Sequence, residues 1–372
     1  MRTAIVSDLH LGAASGEDVL RDAGTRHVLF EEIAGADRVV LLGDVVELRD
    51  LALGAALEQA RPFFEELGEA VGDREVTIVH GNHDHRLAEP LLDDLSLDGG
   101  PSLDLERRHD PSPGPTALID GWLGPARLQI AYPGLWLRDD VYATHGHYMD
   151  AHLSLPRAEC VAAAALIRTS GPLPSPATPA DYERVLRPLY GFAYGVAQAR
   201  PARVARRRSG PSEAAWRLLA GMENGAGRVR KLRDAGIRGA FPAGIWALNR
   251  LLHSEFEADV SGEAIFSAGL EAAAEMAMRL QVDGAHVITG HTHRGGPTAA
   301  EAEWPLPGGG RLHNSGSWVF ASVFHHPGTP PSPYWPGTVT WVEDSGPPRR
   351  VQLLLKRSHP ELTKLVGRVR RG

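Results

Sequence analysis

The stretch Val76-Thr77-Ile78-Val79 leads into Gly81-Asn82-His83-Asp84. A β-branched run that stops at Gly and polar residues reads as a buried strand delivering its C-terminal end to a site. Taken alone, an amide, an imidazole and a carboxylate in a row are equally the residues of a turn. The same layout recurs four times in the chain, and the recurrence decides the reading.

Working outward, residues 3–7 form an expected first strand ending in Asp8-Leu9-His10-Leu11-Gly12, and Arg38–Leu42 ends in Gly43-Asp44. Val141–Thr144 delivers His145-Gly146-His147, and residues 285–289 deliver Gly290-His291-Thr292-His293. Positions i and i+2 of an extended strand share a face, so Asp8 and His10 are expected to approach one point from extended backbone. Helical patterns over 17–33 and 55–71 separate the first three strands, the second carrying Leu57, Phe63, Phe64 and Leu67 at core-facing spacing. Alternating strands and helices predict βαβ crossovers and an α/β sheet, whose ligands lie beyond the carboxyl ends of the strands. One shared site is therefore implied.

Residues 97–127, rich in Gly, Pro and Asp, read as a long loop or a short excursion, followed by short strands at 128–130 and 135–137. Residues 151–280 turn rich in Ala, Leu and Arg with helical periodicity. Strand patterns resume after them, at about 311–314, 338–342 and 350–355. The expected organisation is a catalytic α/β domain made of 1–150 and 281–358, a helical insertion or cap at 151–280, and a basic tail at 359–372 with Arg368, Arg370 and Arg371. The proline-rich loop 325–337 is expected on the surface near the site. No internal repeat is visible.

The chain has 372 residues, 43% hydrophobic and 23% charged, with net charge −7, ordinary for a soluble globular protein and without overall basic attraction to nucleic acid. Cys160 is the only cysteine, so no internal disulfide forms. The first apolar run is too short for a signal peptide, and no apolar window reaches the about 18 residues of a spanning helix. A cytoplasmic location is expected. Six of the seventeen histidines (His10, His83, His145, His147, His291 and His293) sit at strand ends; His313, His325 and His326 read as structural or exposed.

Asp8, His10, Asp44, Asn82, His145, His291 and His293 are too many ligands for one divalent ion, but suit two ions sharing a carboxylate. Asp8, His10, Asp44 and His293 would hold one ion, and Asp44, Asn82, His145 and His291 the other. Imidazole and oxygen ligands without thiolate suit manganese first, with iron or zinc as alternatives. Two ions about 3.5–4 Å apart clamp a phosphoryl group, and a water between them, its pKa brought down towards about 7, is the expected nucleophile. His83 points away from Asn82, towards substrate, to stabilise charge or protonate the leaving oxygen, and Asp84 is expected to orient its ring. His147 either touches substrate, the favoured alternative, or backs His145. Arg86 and Arg294 are candidates for holding phosphate.

These five blocks, in order, resemble those of the calcineurin-like metallophosphoesterase superfamily over roughly residues 1–150 and 283–320. The resemblance implies a pair of β-sheets flanked by helices in four αββα layers and metal-dependent hydrolysis of phosphate mono- or diesters. Asn314-Ser315-Gly316-Ser317 stands where related enzymes close the site with a small-residue loop. The Ser7-Asp8-Leu9-His10-Leu11-Gly12 block, a helical stretch after the His-Gly block and Gly-His-Thr-His-Arg are similar to the UDP-2,3-diacylglucosamine pyrophosphohydrolase branch. The 151–280 insertion is far longer than that branch's cap, and His83 and His147 depart from its usual residues. A phosphodiesterase or pyrophosphatase is the favoured activity. A DNA-processing nuclease, a protein phosphatase and an idle binding scaffold are the alternatives. Residues 187–238 hold twelve Lys or Arg against three Asp or Glu, and read either as a solvated face or as a basic cap steering a nucleotide- or lipid-linked substrate at a membrane surface. Trp216, Leu218, Leu219, Phe241, Ile245, Trp246 and Leu248 either line a groove beside it or pack helices.

Overall fold

The computed structural model describes residues 1–97, 103–199, 244–257, 259, 261–321, 325 and 331–367. The Arg206–Arg208 run, Trp216, Leu218, Leu219, Phe241, His326 and Arg368, Arg370 and Arg371 lie outside them, as does most of the basic stretch. Among the described residues the strands are β1 Thr3–Val6, β2 Arg38–Leu42, β3 Glu75–Val79, β4 Glu106–His109, β5 Arg127–Arg138, β6 Val141–Thr144, β7 His286–Thr289, β8 Trp304–Pro305, β9 Arg311–Asn314, β10 Thr338–Val342 and β11 Arg349–Gln352. Their spatial order is β11-β10-β1-β2-β3-β5-β6-β7-β9-β8, with β4 beside β5.

The path folds back on itself at β5. Its first part runs parallel to β3 (Val79 opposite Ala131), and its last part antiparallel to β6 (Gly134 opposite Thr144). Two half-sheets result, joined by one strand. Alternation along β2 shows the layers: Val39 and Leu41 face outward, while Val40 and Leu42 face inward. Between the half-sheets, Ile5, Val40, Leu42 and Val79 meet Val141, Ala143 and Ile288.

The outer face of the first half-sheet is covered by α1 (Ala23–Ile33), α2 (Leu53–Val71) and α4 (Pro115–Leu123), with Phe63, Phe64 and Leu67 of α2 in its core. Burying each such side chain stabilises the layer by about 1.5–3 kcal/mol. The outer face of the second half-sheet, with Tyr142, Val287 and Leu312, is covered by α5 (Ala158–Ser170), α6 (Pro179–Ala199) and α7 (Gly262–Arg279). The expected sandwich flanked by helices is therefore present. The helices expected as an insertion form its fourth layer, where Ile245 is buried and Trp246 exposed.

Local departures have local causes. The helix expected over 17–33 starts later, because Asp22 accepts the Thr25 N–H at 2.9 Å and caps α1 there. The supposed loop 97–127 follows directly on α3 (Glu89–Leu97) and contains β4 and α4. β4 is Glu-Arg-Arg-His, an edge strand with no apolar alternation to reveal it. The two short strands at 128–130 and 135–137 are one continuous strand, β5.

Candidate metal centre

β1, β2, β3 and β5 run parallel, as do β6, β7 and β9, so the five polar blocks leave the sheets on one side. The last residues of each strand are apolar and paired; the next ones turn sharply. Asp8, His10, Asp44, His291 and His293 all take positive φ, between 46° and 64°. Asp8 and His10 thus converge through left-handed turns, correcting the expectation of extended backbone. Such conformations disfavour residues with a Cβ and persist where surrounding structure enforces them, commonly at functional sites.

The enforcement is visible in the hydrogen bonds. Asp8 N–H donates to Gly43 O, and His10 N–H to Asp44 O at 2.8 Å, tying the first two blocks together. The Asp8 carboxylate accepts the His291 N–H on both oxygens, at 3.1 and 3.0 Å, and also the Ser7 hydroxyl. Asn314 Nδ2 donates to Gly290 O at 2.6 Å and to Thr292 Oγ1, latching the last block. Gly81 sits so close to Asp44 and to the His145 ring that a Cβ would fall 2.6 Å from Asp44 N and 2.7 Å from His145 Nδ1.

Among the described residues, three sets place ligand atoms within 4.8 Å of one another: Asp8, His10 and His293; His10, Asp44 and His83; and Asp44, His145 and His291. His145 Nε2 lies 3.3 Å from Asp8 Oδ1 and 3.5 Å from Asp44 Oδ2. His293 Nε2 lies 3.3 Å from Asp8 Oδ1. Asn82 Oδ1 is buried without a hydrogen-bond partner, an acceptor in want of a cation.

The electrostatics agree. Burial works against charge on Asp8, Asp44 and Glu47, yet the surrounding imidazoles hold all three below their ordinary range. Burial likewise opposes charge on His10 and His145, but the carboxylates outweigh it and raise them to about 10 and about 9. The pocket compensates its anions with protons on its own ligands. Divalent cations would do the same and free the imidazoles to coordinate. This donor set fits such ions.

Residues 1–164 match the family model described as calcineurin-like phosphoesterase. These residues, and not the rest of the chain, are similar to the calcineurin-like phosphoesterase family. No curated protein matches the chain. The family and the His/Asp clusters together make it a metal-dependent phosphoesterase.

The residues around the expected ligands differ in part from expectation. Asp84 does not orient His83: its carboxylate accepts backbone N–H groups of Gly81 (2.6 Å) and Val45 (2.8 Å), stapling two blocks. The carboxylate on the His83 ring is Glu47, with Oε2 2.6 Å from Nδ1. His147 is 1% exposed, with Nδ1 3.3 Å from His145 Nδ1, so it lies behind an expected ligand and is not placed to touch substrate. Arg294 pairs with Glu301 and lies over the Phe266 ring, its centre 3.8 Å away, so its guanidinium is already engaged. Arg86 is exposed and reaches towards the Tyr194 ring. Missed altogether were Glu47 and Asp150, whose Oδ1 lies 2.9 Å from His291 Nε2 and leaves Nδ1 for the cluster. A carboxylate three residues after Asp44 was the one available signal for Glu47.

Proposed function

We propose that the protein hydrolyses a phosphodiester or diphosphate bond at a two-ion centre held by Asp8, His10, Asp44, Asn82, His145, His291 and His293. The observation that carries this reading is the shared position of Asp44, common to two of the three close-set clusters; the buried, unpartnered Asn82 Oδ1 supports it. When bound, such ions polarise the phosphoryl group and make water nucleophilic near neutral pH, with manganese the first candidate.

The chain's own residues supply the rest. His83 has a side chain 27% exposed, the most open imidazole of the cluster for which an ion pair is seen, and Glu47 fixes its Nδ1. Its Nε2 is left to face substrate and to protonate the departing oxygen, which an alkoxide leaving group requires. Asp150 and Glu47 orient the ligand imidazoles, and Asp84 and Asn314 hold the turns that carry them. The basic stretch at 187–238 favours a polyanionic, nucleotide- or lipid-linked substrate.

Hydrolysis of bis-p-nitrophenyl phosphate with added Mn²⁺ tests the proposal. Asp44→Ala and Asn82→Ala should lose both activity and bound metal. His83→Ala should keep its metal and lose about 100-fold or more in kcat. A folded wild-type protein inert with every divalent ion would favour the binding scaffold. Cleavage of single-stranded DNA would promote the nuclease, and turnover of phosphoproteins the protein phosphatase. Metal loss in His83→Ala would make His83 a ligand.

A further inference from the structure

One guanidinium near the ligand cluster is left uncommitted. Arg49, Arg187 and Arg294 each have a carboxylate: Glu159 Oε1 lies 3.1 Å from Arg49, Glu89 pairs with Arg187 and Glu301 with Arg294. Arg157, the residue that precedes α5, has no hydrogen-bond or ion-pair partner for its side chain among the described residues. It is half-buried, yet its nitrogens stay open to solvent.

Its place is fixed from two sides. Glu159, in the first turn of α5, holds Arg49, whose backbone N–H donates to Glu47 Oε1 at 2.8 Å. The start of α5 is thereby tied to the loop that carries Glu47. On the other side stands Asp150, whose Oδ1 lies 2.9 Å from His291 Nε2. Burial works against the Arg157 charge, and the surrounding acids, Asp150 foremost, outweigh it; Tyr334 of the proline-rich loop also lies within its field. Arg157 is thus one side chain removed from His291 and belongs to none of the three close-set clusters.

A half-buried cation without a partner is costly unless an anion completes it. Asp150 does not serve, because its Oδ1 is engaged by His291 and its Oδ2 is sealed without any hydrogen-bond partner, Arg157 included. A guanidinium offers a planar fork of donors that matches two oxygens of one phosphate.

We propose that Arg157 is a specificity-determining residue that binds a second phosphate of the substrate, next to the one held at the ligand cluster. Diphosphates are then preferred to single phosphodiesters. The proposal rests on the two-ion reading above, which leaves both bond types open, and it narrows that reading to one of them.

Rates on bis-p-nitrophenyl phosphate and bis-p-nitrophenyl diphosphate, which differ by one phosphoryl group, test this in the Mn²⁺-loaded protein. The wild type is expected to have the higher kcat/KM on the diphosphate. Arg157→Gln should lower the ratio of the two kcat/KM values about 10-fold or more, with the loss in KM for the diphosphate. The ratio cancels the folded fraction, so partial misfolding of the variant cannot imitate the effect. Arg157→Lys keeps the charge but loses the fork, and should restore only part of the ratio. No preference for the diphosphate in the wild type would overturn the proposal and leave the two-ion reading standing. Equal losses on both substrates in Arg157→Gln would do the same, since Arg157 would then only support the cluster. A wild-type protein that binds no Mn²⁺ in calorimetric titration and turns over neither compound would overturn both.

Discussion

Glu47 Oε2 lies 2.6 Å from Nδ1 of His83 and also 2.9 Å from Nδ1 of His10, so one buried carboxylate orients both an expected ligand and the expected proton donor. Glu47→Gln should therefore affect two properties together. Mn²⁺ affinity is expected to fall about 10–100-fold, as when carboxylates behind ligand histidines are removed. The decrease in kcat should persist at saturating Mn²⁺, because His83 is released as well. Steady-state rates across a Mn²⁺ titration separate the two effects; recovery of full kcat at high Mn²⁺ would confine Glu47 to His10.

Gly81 lies against Asp44 and His145 with no room for a Cβ. Gly81→Ala must displace one of them, and a misplacement on the order of 1 Å near reacting groups costs about 100-fold in rate. The expected outcome is a folded protein, by circular dichroism, with deficient metal content and activity reduced by about that factor. Normal metal content would show that the block relaxes elsewhere.

Added Mn²⁺ should raise thermal stability, because the ions bind only the folded arrangement of blocks from five distant segments. At a free concentration of 100 times Kd the gain is about 2.7 kcal/mol for one site. Scanning calorimetry of the chelator-treated protein with and without Mn²⁺ checks this. Asp44→Ala, which removes the shared carboxylate, should abolish most of the shift.

The His85–Glu183 pair predicts a pH dependence of stability. Burial opposes the charge on His85, but the Glu183 and Glu89 carboxylates outweigh it and raise its pKa to about 9. The folded state thus favours protonated His85. The contribution is complete below about 6.5, the ordinary histidine value, and is lost as pH rises through about 9. Glu183, held below its ordinary range despite burial, contributes above that range and loses its share on acidification. Melting temperatures of the wild type should fall between pH 6.5 and about 9, and those of His85→Gln should fall less over the same interval. Parallel curves would exclude the pair as the cause.

The five blocks were legible because each pairs an apolar strand with residues that only a site explains. Six of the seven expected ligands stand in the three close-set clusters, Asn82 is buried with its Oδ1 unpartnered, and the layered architecture follows from the same strands. What stayed hidden was geometry that depends on distant partners. The left-handed turns at Asp8, His10 and Asp44 are imposed by hydrogen bonds between blocks, and nothing in Asp-Leu-His announces them. Asp84 and Glu47 are both acids near a block, and only the backbone path decides which reaches His83. Glu183 lies 98 residues beyond His85 in a helix whose pattern read as ordinary packing. β4 escaped because a polar edge strand carries no periodic signal.

The single strand shared by the two half-sheets carries one more consequence. Asp8, Asp44 and Asn82 leave one half-sheet, and His145, His291 and His293 leave the other. Between them lie small and medium side chains, Val40, Val79, Ala131, Val141 and Ala143 among them. The interleaf core therefore works as a spacer gauge: its thickness sets how far apart the jaws of the ligand cluster stand. Selection acting on the volume of these apolar residues would tune the spacing of the His/Asp cluster without altering any of its members.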